Sequence, residues 1–162
     1  MSPITVGWKE FADFPDWGLR RVKAKLDTGA RSAAVGVREY RLIEVPGGHE
    51  VELVLAPYRR RPGRVVVVRV PVVGFRAVRS SNGTAELRPV VELVFRLGPV
   101  TRRVPATVAD RSRMLVPVLL GRLALGPEFV VDPARKYVLS GTKTPDSPQR
   151  HEGHTKGHQE DS

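Results

Sequence analysis

Lys25-Leu26-Asp27-Thr28-Gly29-Ala30 is the stretch on which the reading of this chain turns. A short apolar–basic strand ends at Leu26, and three residues that reverse a chain follow it. Asp side chains bond the backbone two residues on, and Gly accepts backbone angles that other residues resist. An ordinary Asx turn therefore accounts for the tripeptide by itself. The same residues also set a carboxylate at a strand end, a hydroxyl beside it that can lock the backbone, and a Gly where no side chain would block a water. Which description holds depends on the rest of the chain.

Working outward, valine dominates the apolar content and favours strands. Val51, Leu53 and Leu55 alternate with polar neighbours, as do Leu93, Phe95 and Leu97, and each set predicts a half-buried strand. Val65 to Val73 is almost continuously apolar and predicts a buried strand, and Val104–Ala109 and Lys136–Leu139 predict shorter ones. Turn signals separate these segments: Pro46-Gly47-Gly48, Pro62-Gly63, Asn82-Gly83 and Gly98-Pro99. Asn82-Gly83 predicts a tight hairpin. Leu119 to Leu125 predicts about two helical turns stopped by Gly126-Pro127. The expected fold is all-β, a barrel of short strands with one short C-terminal helix.

The chain has 162 residues and no Cys, so disulfides and Cys-based zinc sites are excluded. Residues 1–140 predict a single domain, and a chain of this size buries roughly 70% of its surface. Residues 141–162 are nearly devoid of apolar side chains and predict a disordered polar tail. That tail has Lys143, Arg150 and Lys156 against Asp146, Glu152, Glu160 and Asp161, a net of −1, so the overall +10 leaves +11 on the body. A basic body attracts polyanions, nucleic acid and acidic peptide alike. No apolar run approaches the roughly 20 residues that cross a bilayer, and Lys9 and Glu10 interrupt any leader. These features predict a soluble, cytoplasmic protein without membrane association.

Other chemistry finds little purchase. There is no phosphate-binding Gly-rich loop and no His-Glu-x-x-His. His151, His154 and His158 have helical spacing, but Gly153 and Gly157 argue against a helix, so no metal site is expected. His49, the single histidine of the body, belongs beside Gly47-Gly48 in an exposed turn, which leaves a Ser–His pair unsupported. The second informative segment is Met114-Leu115-Val116-Pro117-Val118-Leu119-Leu120-Gly121-Arg122. In retropepsin-like proteases two apolar residues and a Gly follow the Asp loop by most of a domain. That strand passes through the loop and buries it. Leu119-Leu120-Gly121-Arg122 stands in the matching place, with Asn82-Gly83 between the two motifs where a flap belongs.

The chain resembles the family labelled ATP-dependent zinc protease, or RimK-associated retropepsin-like aspartic protease. The matching stretches run in order from Val6-Gly7-Trp8-Lys9-Glu10 through Lys23–Ser32, Arg79-Ser80-Ser81-Asn82-Gly83 and Arg88-Pro89-Val90. Arg111, Met114, Pro117 and Leu119–Arg122 follow, and Phe129–Ala134 closes the match. No residues of the body support the zinc and ATP of that label, and no cofactor is expected. Two departures stand out. Where the family usually has Ser and His after its Asp-Thr-Gly-Ala, this chain has Ala33 and Gly36. Arg31 takes the place of an Asp that pairs, in retroviral relatives, with the Arg equivalent to Arg122.

The resemblance implies an aspartic endopeptidase with Asp27, Thr28 and Gly29 at its catalytic centre. Ala30, Arg31, Leu119 and Leu120 would contact substrate, Ser80, Ser81, Asn82 and Gly83 would form the lid, and Gly121 and Arg122 would support the loop. Aspartic proteolysis needs two carboxylates sharing a proton. One Asp-Thr-Gly in a body of this length therefore implies a homodimer. The basic body, Arg31 and the association with RimK-type ligases, which add glutamates to protein C-termini, point to acidic, glutamate-rich peptides or tails. Two rivals remain open: a catalytically inactive peptide-binding relative, favoured by the loss at Gly36, and a barrel binding RNA or another polyanion. The aromatics Trp8, Phe11, Phe14 and Trp17 cluster near the N-terminus instead of interleaving with basic strands, which argues against nucleic acid.

Overall fold

The structure, a computed structural model, describes residues 2–79 and 82–142. Its strands in chain order are β1 (Ile4–Gly7), β2 (Lys9–Phe14), β3 (Leu19–Leu26), β4 (Ala33–Val37), β5 (Glu39–Val45) and β6 (Gly48–Leu55). Then follow β7 (Val66–Pro71), β8 (Gly74–Arg79), β9 (Ala85–Leu97), β10 (Val100–Asp110), β11 (Val118–Leu120), a single helical turn α1 (Arg122–Leu125) and β12 (Phe129–Asp132). The all-β expectation with one short C-terminal helix holds.

Six strands close a ring. β10 pairs with β4, β4 with β11, β11 with β3, β3 with β2, and β2 returns to β9, which pairs along its length with β10. The closing contact, Asp13 opposite Arg96, is reinforced by their ion pair at 2.9 Å. Closure removes most free sheet edges. β8 extends the sheet beyond β9, β5-β6-β7 form a separate three-stranded sheet, and β1 pairs in parallel with β12. Val91, Leu93, Phe95 and Leu97 of β9 fill the core while Glu92 and Arg96 face outward. Val51, Leu53 and Leu55 do the same from β6. Of the N-terminal aromatics, Phe11, Phe14 and Trp17 are buried with this core.

Four local expectations change. The Val65–Val73 run forms β7, an edge strand whose alternate residues face solvent, with Val67 56% exposed. An apolar run does not reveal whether one face or two will be covered. Lys136–Leu139 is not a strand. Tyr137 has a left-handed φ of 55°, which breaks an extended path, and the turn is anchored by Glu10. The buried Glu10 carboxylate accepts from the N–H groups of Gly7 (2.7 Å), Leu139 (2.9 Å) and Ser140 (2.9 Å) and from the Ser140 hydroxyl (2.6 Å). The helix begins at Arg122, because Leu119 and Leu120 belong to β11. Asn82-Gly83 does lie between the antiparallel β8 and β9, but their pairing stops at Arg79 opposite Ala85, so it is not the tight two-residue turn expected. There the Asn82 side-chain oxygen accepts the Thr84 N–H at 3.1 Å.

His49 lies within β6 and meets Phe75 edge-on at 5.7 Å, so it is not the exposed turn residue expected. The tail from residue 143 onward, with its His151, His154 and His158, lies outside the described residues. Among the described residues no helix is long and apolar enough to cross a membrane.

Candidate active site

β3 carries Asp27 to the end of the barrel wall, and β11 fixes it there. Leu26 registers against Leu120, and the Asp27 N–H donates to the Leu120 carbonyl at 2.9 Å. The loop then folds on itself: the Gly29 N–H donates to Asp27 Oδ1 at 2.9 Å and the Ala30 N–H to the Asp27 carbonyl at 3.2 Å. This is the Asx turn its residue types predict. The other carboxylate oxygen faces Lys25 Nζ at 3.8 Å, and the Asp27 side chain is 27% exposed. Thr28 and Gly29 are exposed at the loop tip.

The chain leaving β11 passes through this loop and holds its far side. The Arg122 N–H donates to the Ala30 carbonyl at 2.8 Å and the Leu123 N–H to the Arg31 carbonyl at 2.9 Å. A Cβ on Gly121 would lie 2.5 Å from the Ser32 carbonyl oxygen and 2.6 Å from that of Ala30, so only Gly allows the crossing. Arg122, deprived of an acidic partner by Arg31, donates instead to the Thr28 carbonyl at 3.0 Å. Arg31 itself is exposed.

A cleft of about 340 Å³ opens beside the loop, lined by Ala30, Ala33, Ala34, Leu119 and Met114 but not by Asp27, Thr28, Gly29 or Arg31. Leu119 lines it. Leu120 is fully buried in the core and does not. The arms of the β8–β9 hairpin also line the cleft, with Arg76, Val78, Arg79, Glu86 and Arg88. Asn82 and Gly83 sit beyond that wall, and Ser80 and Ser81 lie outside the described residues. Arg76 donates to the Ser32 hydroxyl at 2.6 Å, tying the hairpin to the Asp loop. Arg88 pairs with Glu86 at 2.9 Å. Sequence reasoning missed these cleft arginines. Their signal was period-two spacing, since Arg76 and Val78 share one strand face, as Glu86 and Arg88 share the opposing one.

The departures have structural counterparts. At Gly36 an added Cβ would come 2.9 Å from Met114 Sδ and 3.1 Å from Arg111 Cδ, so the space beside this position is taken by Arg111 and Met114. Ala33 lines the cleft with a methyl group alone. Among the described residues no cluster of three His, Cys, Asp or Glu could hold a metal, so the donor set a zinc ion needs is missing from them.

A family profile described as "Retropepsin-like aspartic endopeptidase RimB" matches residues 5–142. A probable alpha-L-glutamate ligase of Shewanella pealeana is 31% identical over 138 residues, covering 85% of this chain and 30% of the relative. One from Desulfotalea psychrophila is 28% identical over 134 residues, covering 83% and 29%. The chain thus spans about three tenths of the length of these curated relatives. The crystal structure of Lpg0085 from Legionella pneumophila, described as a protein of unknown function (DUF785), superposes with a TM-score of 0.68 at 29% identity. That match covers 85% of this chain and 99% of the other. With that profile covering most of its length, the chain belongs to the RimB-like family of retropepsin-like aspartic endopeptidases.

Proposed function

We propose that the chain is an aspartic endopeptidase that acts as a homodimer on glutamate-rich peptides or tails. Two copies would bring their Asp27 carboxylates together across a two-fold axis, with the exposed Thr28 and Gly29 facing the partner loop. Two carboxylates at that distance share one proton, and their titration belongs to the pair. The ionised Asp27 takes a proton from a water as it attacks the peptide carbonyl carbon. Its protonated mate donates to the carbonyl oxygen, and collapse of the tetrahedral species passes a proton to the leaving amine.

The observation that carries the choice of substrate is the pair Arg76 and Arg88. They are directly opposite one another on the cleft face of the lid hairpin. Like charges so placed are destabilising in a sheet. Glu86 offsets Arg88 within the hairpin, and an acidic chain passing beneath would compensate Arg76 and accept guanidinium hydrogen bonds from it. The relatives' names are consistent with this choice, since a glutamate ligase makes the amides that such a hydrolase would cut.

Incubation with poly-α-glutamate and with basic control peptides tests the reading. Cleavage of the glutamate polymer alone, lost about 10²–10⁴-fold in Asp27→Asn, is expected. Equal cleavage of both, or of neither, would sink the acidic-substrate assignment.

A further inference from the structure

A second basic pocket opens away from the lid. Its volume is about 280 Å³ and its walls include Arg38, Arg59, Arg111, Tyr58 and Ser112. Asp110 lines both this pocket and the cleft, so the two share a wall at the end of β10. Among the described residues, none of the three arginines has a carboxylate within ion-pair distance. Arg38 donates to the Pro62 carbonyl at 3.0 Å and Arg111 to the Met114 carbonyl at 2.9 Å. The buried Arg111 Nε has no partner at all. Such a group costs free energy unless something supplies an acceptor. Burial, and then the neighbouring Arg59 charge, push the Arg111 guanidinium's pKa down. Asp110 also lines the pocket, but it is not within ion-pair distance of the three arginines, and its Oδ1 accepts the Ser112 N–H (2.9 Å) and hydroxyl (2.8 Å).

The geometry points to a second carboxylate subsite formed by Arg38, Arg59 and Arg111, one step beyond the cleft, that holds an acidic side chain or terminal carboxylate of the same substrate. This assignment rests on the acidic-peptide reading and extends it. It also gives the Gly36 departure a role. With no side chain at 36, the Arg111 stem packs against the backbone and its head lines the pocket.

Binding separates the subsite from catalysis. In the Asp27→Asn protein, fluorescence anisotropy would follow labelled tetra-α-glutamate and di-α-glutamate, with Arg38→Gln/Arg59→Gln added to the same background. Both substitutions are at exposed side chains, and an unchanged thermal midpoint verifies folding. The subsite predicts about tenfold weaker binding of the tetrapeptide and little change for the dipeptide, which is too short to reach from the cleft. Equal tetrapeptide affinity in both proteins, or no binding in either, overturns the subsite. Arginine-dependent binding without hydrolysis by the unsubstituted protein supports the subsite and overturns the endopeptidase reading instead.

Discussion

Gly121 sits where two pieces of chain pass within contact distance, and its demand for bare backbone is steric, since a Cβ would meet two carbonyl oxygens at 2.5 and 2.6 Å. Gly121→Ala should therefore misplace the Asp27 loop and cost about 1–3 kcal/mol. Urea unfolding would show this, and an alanine variant as stable and as active as the parent would contradict it. Glu10 is the opposite case, a buried carboxylate whose value comes from its partners. Glu10→Ala strands the N–H groups of Gly7, Leu139 and Ser140 and should cost about 3 kcal/mol or more. A midpoint shift smaller than about 1 kcal/mol would show that water replaces the carboxylate. At this scale Asp27, Gly121 and Leu119 were legible in the sequence because each belongs to a local pattern. Glu10 was not, because Leu139 and Ser140, which it holds together with nearby Gly7, lie some 130 positions away along the chain.

The strands whose alternation is clean, β6 and β9, form where periodicity predicts them. The misread elements are those whose fate depends on what covers them. β7 lies at an edge, with Val66, Val68 and Val70 inward and Val67, Arg69 and Pro71 toward solvent, and Lys136–Leu139 bends where a buried carboxylate binds the N–H groups of Leu139 and Ser140. The short helix is likewise held from outside. Arg102 donates to the Ala124 carbonyl at 2.7 Å and pairs with Glu128 at 2.6 Å. The Arg102 hydrogen bond holds the Glu128 carboxyl below the usual carboxylate range. A depressed carboxylate contributes stability that is present above the unfolded value of about 4.3 and lost as pH falls through the folded one. The thermal midpoint of Glu128→Gln should thus lie slightly below the parent at neutral pH and converge with it in acid. A gap that does not change with pH would contradict the pairing.

For the molecule as a whole, charge and length carry the functional argument. On the proposed reading a body with +11 would draw an acidic substrate, and the cleft sets Arg76, Arg79 and Arg88 against Glu86 and Asp110. Hydrolysis of a glutamate polymer should weaken as salt rises, mainly through KM, and a KM flat from low to physiological ionic strength would remove electrostatics from the account. The retropepsin-like fold was readable because the Asp loop, the hairpin and the Leu-Leu-Gly strand come in a fixed order. The second arginine pocket was not, since Arg38, Arg59 and Arg111 meet only once the barrel has closed. The central claim is that one site takes an aspartate from each of two chains. Subunit mixing tests it: parent and Asp27→Asn chains are equilibrated together at fixed total concentration and glutamate-polymer hydrolysis is measured. A shared site predicts activity falling as the square of the parent fraction, whereas a linear fall would mean that each chain works alone.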